Sequence, residues 1–128
     1  MPENKRKTED SSEILKERTE LSLLFDFYSE LLDEHKKEVF GEYIMNDLSL
    51  AEISEGEGIS RQGVHDIVKR TAKQLREYEN RLGLLDKYRK LQGYSNELDI
   101  LSYSLKSAGY EKEAMVLHRI AGSIGETL

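Results

Sequence analysis

Residues 48–68 read L-S-L-A-E-I-S-E-G-E-G-I-S-R-Q-G-V-H-D-I-V, and the fold turns on them. Ser49 stands three residues ahead of Glu52, the spacing at which a hydroxyl and a carboxylate cap each other's backbone at a helix start. Leu50 and Ile53 follow as core contacts of a short helix. Glu55-Gly56-Glu57-Gly58 then offers two glycines, either of which can take the positive φ of a tight helix exit. Ile59 reads as an apolar plug and Ser60 as a second cap, after which Val64, Ile67 and Val68 renew the helical spacing. Two short helical patterns joined by a glycine-bearing turn are the sequence form of a helix-turn-helix.

The same periodicity extends in both directions. On the N-terminal side, Ile14, Leu21, Leu24, Phe25, Tyr28, Leu31 and Leu32 recur at three, four and seven residues, which predicts one apolar face on a long first helix. A capping box at Asp10-Ser11-Ser12-Glu13 would start it. Asp33 is placed to cap a second helix with Val39, Phe40, Tyr43 and Ile44 inside and Asn46-Asp47 closing it. Downstream, Thr71, Leu75, Tyr78 and Leu82 continue the fourth helix. Leu84, Leu85, Tyr88 and Leu91 carry the pattern past Gly83, which kinks the chain or starts a new helix. Gln92-Gly93-Tyr94-Ser95-Asn96 predicts a break. Beyond it Leu98, Leu101 and Leu105, with Tyr94, face inward from a helix ended by Ala108-Gly109, and Ala114, Leu117, Ile120, Ala121 and Ile124 line a last helix. The expected organisation is a mobile polar tail over 1–12, a helix-turn-helix domain over 13–91 and a helical extension over 92–128, packed on the domain or on a partner subunit. The fold class is all-α.

Composition agrees. The chain of 128 residues is large enough for one real core, its single proline is Pro2 and it has no cysteine. No disulfide or thiolate metal site is possible, which suits a reducing, intracellular home. His35, His65 and His118 form no H-x-x-x-H pair, so neither a metal nor a cofactor is expected. No apolar run is of membrane-spanning length, and the N-terminus lacks the apolar centre of a signal peptide, which predicts a cytoplasmic protein without membrane insertion. The net charge of −6 argues against a protein that coats itself in nucleic acid. Its distribution matters more: residues 1–48 hold 7 Lys+Arg against 13 Asp+Glu, residues 49–91 hold 9 against 7, and residues 92–128 hold 3 against 5. The basic excess sits in the helix-turn-helix and its continuation, which keeps a local polyanion site possible.

Ser49–Arg76, S-L-A-E-I-S-E-G-E-G-I-S-R-Q-G-V-H-D-I-V-K-R-T-A-K-Q-L-R, resembles the C-terminal promoter-recognition region of bacterial sigma factors without gaps. More closely, L-F-D-F-Y-S-E-L-L (24–32), E-Y-I-M-N-D-L-S-L-A-E-I (42–53), S-R-Q-G-V-H-D (60–66) and E-N-R-L-G-L-L-D-K-Y (79–88) resemble the YlxM family. Those are small bacterial proteins whose genes adjoin those of the signal recognition particle GTPase and its receptor. The resemblance covers residues 13–91. It implies a sigma-region-4-like bundle, often dimeric, without catalytic activity and with a role at the signal recognition particle or as a regulator.

The N-terminal part of the second helix of such a motif meets base edges. Here it offers Arg61, Gln62, His65, Asp66 and Lys69. Promoter-binding sigma regions resemble this chain in Arg61 but more usually carry arginine at 63 and 65 and glutamine at 66. Gly63, His65 and Asp66 therefore disfavour promoter-like reading, since an aspartate facing the groove repels phosphate. Gly63 has two explanations: close approach of a partner to the backbone, or a crowded turn. Further on, Lys69, Lys73 and Arg76, with Arg70 beside them, make a basic stripe, which is either a solvated face or a polyanion strip. Arg61, Gln62, His65, Lys69, Arg70, Lys73 and Arg76 are the candidate nucleic-acid-binding residues. The partner would be DNA, signal recognition particle RNA, which is gripped through phosphates and 2′-hydroxyls, or a protein of that particle, and the chain a homodimer. Two other functions stay open: a protein-interaction module that keeps the motif as scaffold, and a sequence-specific DNA-binding regulator. His118, between Leu117 and Arg119, reads as a partly buried histidine. The acids Asp33, Glu34, Glu38 and Glu42 read as an exposed helix face, because no nucleophile or metal pattern accompanies them.

Overall fold

The computed structural model describes residues 16–128; the polar tail and the capping box expected at 10–13 lie outside the described residues. Among the described residues every regular element is helical. Helix α1 covers residues 16–28 and runs into a single 3-10 turn, Ser29–Leu31. Then come α2 (Glu34–Ile44), α3 (Leu50–Glu57), α4 (Arg61–Leu82), α5 (Leu84–Ser107) and α6 (Glu111–Thr127). The chain divides into two compact units, one ending at Gly83 and the other spanning Leu84–Leu128. Gly83, whose φ of 63° ends α4, stands at the junction of these two units.

Each helix start in the first unit is built by the residue that the local pattern names. The Asp33 carboxylate accepts from the Lys36 amide at 2.8 Å. Ser49 and Glu52 cap one another reciprocally, and Ser60 Oγ accepts from the Gly63 amide at 3.0 Å. Of the two turn glycines, Gly58 takes the left-handed conformation, φ 69°, and Gly56 stays helical. Val39, Ile53 and Val64 are fully buried together, and Tyr43, Leu48, Leu50, Ile59, Ile67 and Val68 pack around them. Ile59 is therefore the plug between α3 and α4. Helix α1 closes the other side: Phe25 meets Phe40 with ring centroids 5.6 Å apart, Tyr28 meets Tyr78 at 5.9 Å, and the Tyr28 hydroxyl donates to Glu79 at 2.6 Å. Leu31, expected inside, is 53% exposed because the 3-10 turn rotates it outward, and Leu32 takes the buried place.

Thr71 is wholly buried on α4, and its Oγ1 has no hydrogen-bond partner among the described residues. A buried hydroxyl left without a partner costs about 1–3 kcal/mol. Thr71→Val exchanges it for a methyl, so the variant should be more stable by about 1 kcal/mol, a rise of several degrees in Tm. Thermal unfolding checks this, and a lower midpoint would mean that the hydroxyl is bonded after all.

In the second unit α5 and α6 form an antiparallel hairpin. Ser95 Oγ donates to the Ala121 carbonyl at 2.9 Å and Ser102 Oγ to the Ala114 carbonyl at 3.1 Å. Seven residues forward on one helix match seven back on the other. All four residues are buried, and their small side chains let the backbones approach closely. The break expected at 92–96 does not exist: α5 runs through it without interruption. Gly93 costs about 1 kcal/mol of helix propensity, but the helix is held by the serine-to-carbonyl seam that begins at Ser95. The seam also moves the buried face. Tyr94 and Leu101, expected inside, are 55% and 49% exposed, and Ile120 is 40% exposed.

Candidate nucleic-acid interface

Val64, Thr71 and Leu75 fix the inner side of α4. Gln62, His65, Lys69, Lys73 and Arg76 follow one another at three, four, four and three residues, so at 3.6 residues per turn they share the outer side. All are exposed, as are Asp66, Arg61 and Arg70. The structure thus brings five of the seven candidate residues into one line and puts Arg61 and Arg70 on opposite flanks of it. Lys69 and Lys73 are about 6 Å apart in rise along the axis.

The line is charged less uniformly than its composition implies. At its N-terminal end Gln62 Nε2 donates to Asp66 Oδ1 at 3.1 Å, and His65 Nδ1 lies 3.7 Å from the same oxygen. The glutamine amide that would pair with a base edge is engaged within the helix. At the far end Arg76 is paired with Glu17 of α1 at 2.5 Å. No ion pair engages Arg61, Lys69, Arg70 or Lys73 among the described residues. The free positive charge is therefore centred on the middle turns of α4. A Cβ on Gly63 would lie 3.1 Å from Ser60 Oγ, so the capped turn is itself crowded, in line with the second of the two explanations for this glycine.

The acidic residues lie elsewhere. Carboxylate oxygens of Glu38 and Glu42 on α2 and Glu57 on α3 come within 4.8 Å of one another, and His35 Nε2 approaches Glu57 at 3.9 Å. Glu57 joins this group only through the packing of α3 on α2, which local spacing does not reveal. Burial, then the charges of Glu57 and Glu38, then a hydrogen bond shared with Glu57 hold the Glu42 carboxyl above the ordinary carboxylate range. A raised value in the folded state means that Glu42 favours folding below its ordinary pKa of about 4.3. That contribution is lost as pH rises through the raised value. Glu42→Gln should consequently flatten the pH dependence of stability just above that point and raise the neutral-pH melting midpoint slightly. Melting curves from acid to neutral pH decide it. His118, expected to be partly buried, is exposed on α6 with Nδ1 3.0 Å from Asp99 Oδ1. The antiparallel seam turns it away from the buried positions Ala114 and Ala121.

No described helix is long and apolar enough to cross a membrane. Comparison with known proteins agrees with the helix-turn-helix geometry. Residues 15–114 match the family model of UPF0122, the YlxM / p13-like helix-turn-helix proteins. The UPF0122 protein of Symbiobacterium thermophilum is 42% identical over 76 residues, 59% of this chain and 71% of that one. The Clostridium botulinum relative is 49% identical over 73 residues, covering 57% and 67%. The Bacillus thuringiensis relative is 43% identical over 79 residues, covering 62% and 72%. No solved structure matches the chain. With its capped turn, its plugged three-helix core and a family match over most of its length, the chain belongs to the UPF0122 family of YlxM / p13-like helix-turn-helix proteins.

Proposed function

We propose that this chain is a non-enzymatic regulatory or accessory protein that holds a nucleic acid or a ribonucleoprotein on the outer face of α4, within the signal recognition particle pathway. One observation carries the proposal: Lys69 and Lys73, exposed, one turn apart and free of carboxylate partners among the described residues, with Arg61 and Arg70 on the flanks. Phosphate contacts need such charges, whereas base reading needs donors at the start of the helix. There Gln62 is bonded to Asp66, which favours grip on the backbone over recognition of a sequence. RNA suits this chemistry, since its duplex is held through phosphates and 2′-hydroxyls. The link to the signal recognition particle is supported by the YlxM-like segments at 24–32, 42–53, 60–66 and 79–88. Separate titrations with signal recognition particle RNA, its GTPase and random duplex DNA at one salt concentration test the proposal. Binding to the RNA or the ribonucleoprotein is expected, and no binding to any of the three overturns it.

The partner set includes a second copy of the chain. Leu91, Tyr94, Leu98, Leu101 and Leu105 recur on α5 at three, four, three and four residues, a heptad stripe. Leu91 shares one shallow depression with Ile120 and Ile124 of α6 and with Leu128 beyond it, so these residues of the two helices open in the same direction. A homodimer closing that face is expected, and light scattering across a concentration series checks it.

A further inference from the structure

We infer that Glu17 of α1 competes intramolecularly with the polyanion for Arg76, so that the ion pair between them limits how much of the α4 strip is available. This rests on the reading of α4 as the polyanion site and adds its regulation. Arg76 lies on the same side of α4 as Lys69 and Lys73, about 10 Å and 4.5 Å further along the axis. It would be the third cation of the line. Glu17 instead takes Nη2 of its guanidinium. The two side chains are 48% and 56% exposed, so the pair sits in water, where such pairs are weak and screened by salt. To contact Arg76 a phosphate must first displace this carboxylate, so what the guanidinium gains from one anion is offset by the loss of the other. At the opposite end Asp66 sits on the strip itself, with Gln62 bonded to it. Carboxylates therefore bracket the strip at both ends and leave the two lysines as the contact open from the start.

The consequence is measurable in the salt dependence of binding. Each phosphate contact on a duplex adds about 0.9 to the slope of log affinity against log salt, and about 0.7 on a single strand. Removing the Glu17 charge should let Arg76 join the two lysines. Glu17→Gln is then expected to steepen the slope on a duplex by about 0.9 and to tighten binding by up to about eightfold at about 0.1 M salt, the value one such contact implies relative to 1 M. The experiment follows a fluorescent RNA duplex and a DNA duplex by anisotropy over about 50–200 mM salt, using the full chain as wild type, E17Q, R76Q and E17Q/R76Q. Melting curves confirm that all four fold. The steeper slope should appear in E17Q and vanish in E17Q/R76Q, with R76Q close to wild type. An unchanged slope in E17Q overturns the inference while leaving the α4 site intact. A gain that persists in E17Q/R76Q also overturns it, because net charge alone would then explain the effect. Wild type that binds neither probe while E17Q binds supports the competition. Failure of every variant to bind removes the site and its regulation together.

Discussion

Reversing two charges, Lys69→Glu together with Lys73→Glu, is expected to weaken binding of RNA or duplex DNA by about 100-fold. A hydrogen bond to a charged group contributes about 1.5–3 kcal/mol, at least tenfold for each contact, and a carboxylate in place of an ammonium adds repulsion. The salt slope should also fall by about one unit per lost lysine. Both side chains are exposed and belong to no ion pair among the described residues, so the melting temperature should stay close to that of wild type, as surface substitutions usually leave it. Arg61→Gln or Arg70→Gln should each cost less, because these residues stand on the flanks of the line. Anisotropy titration beside thermal unfolding separates a lost contact from a lost fold. Binding to a protein of the signal recognition particle that survives the reversal would instead favour the interaction-module reading, with the helix-turn-helix as scaffold.

The parts of this molecule that could be read from its sequence are those made by residues close together in the chain. Asp33, Ser49 and Ser60 each cap through a bond three residues long, and Gly58 needs only its own positive φ. The apolar spacing on α4 names Val64, Thr71 and Leu75 as buried because a helix interior repeats locally. Gln92-Gly93-Tyr94-Ser95-Asn96 misleads for the opposite reason. Its composition is that of a turn, and it is helical because the Ser95 hydroxyl donates to the Ala121 carbonyl, 26 residues away. That partner is invisible to any local window, and so is the small-residue seam that leaves Tyr94 and Leu101 outside.

The candidate site divides in the same way. Spacing alone aligns Lys69, Lys73 and Arg76 on one side of α4. It is silent on the carboxylate that meets Arg76, because Glu17 is 59 residues upstream. It is equally silent on the meeting of Glu57 with Glu38 and Glu42, which depends on α3 packing against α2. Charge pattern therefore locates a basic stripe, whereas how many of its cations stand unpaired depends on tertiary neutralisation.

Leu101→Glu is expected to turn a dimer into a monomer at micromolar concentration. The unit Leu84–Leu128 is a two-helix hairpin whose seam buries serine and alanine; Leu91, Ile120 and Ile124 open to one side of it, while Tyr103 and Met115 line a separate depression. Leu91, Tyr94, Leu101 and Ile120 are 40–55% exposed. The 24 residues of α5 rise about 36 Å, and two helices side by side are about 18 Å wide. The face is therefore about 650 Å², close to the ~800 Å² that each partner contributes to a standard stable interface. Six basic and six acidic residues over 84–128 leave this unit without net charge, so a second copy meets no overall repulsion. A single glutamate at 101 would enter the interface once from each subunit. Two unpaired carboxylates in an apolar seam cost several kcal/mol, and 1.4 kcal/mol already shifts an equilibrium tenfold. Sedimentation equilibrium reads the mass, and circular dichroism should show the helices retained. Unchanged mass for Leu101→Glu beside a dimeric wild type would place the interface elsewhere, and a monomeric wild type at high concentration would leave the apolar face to a different occupant.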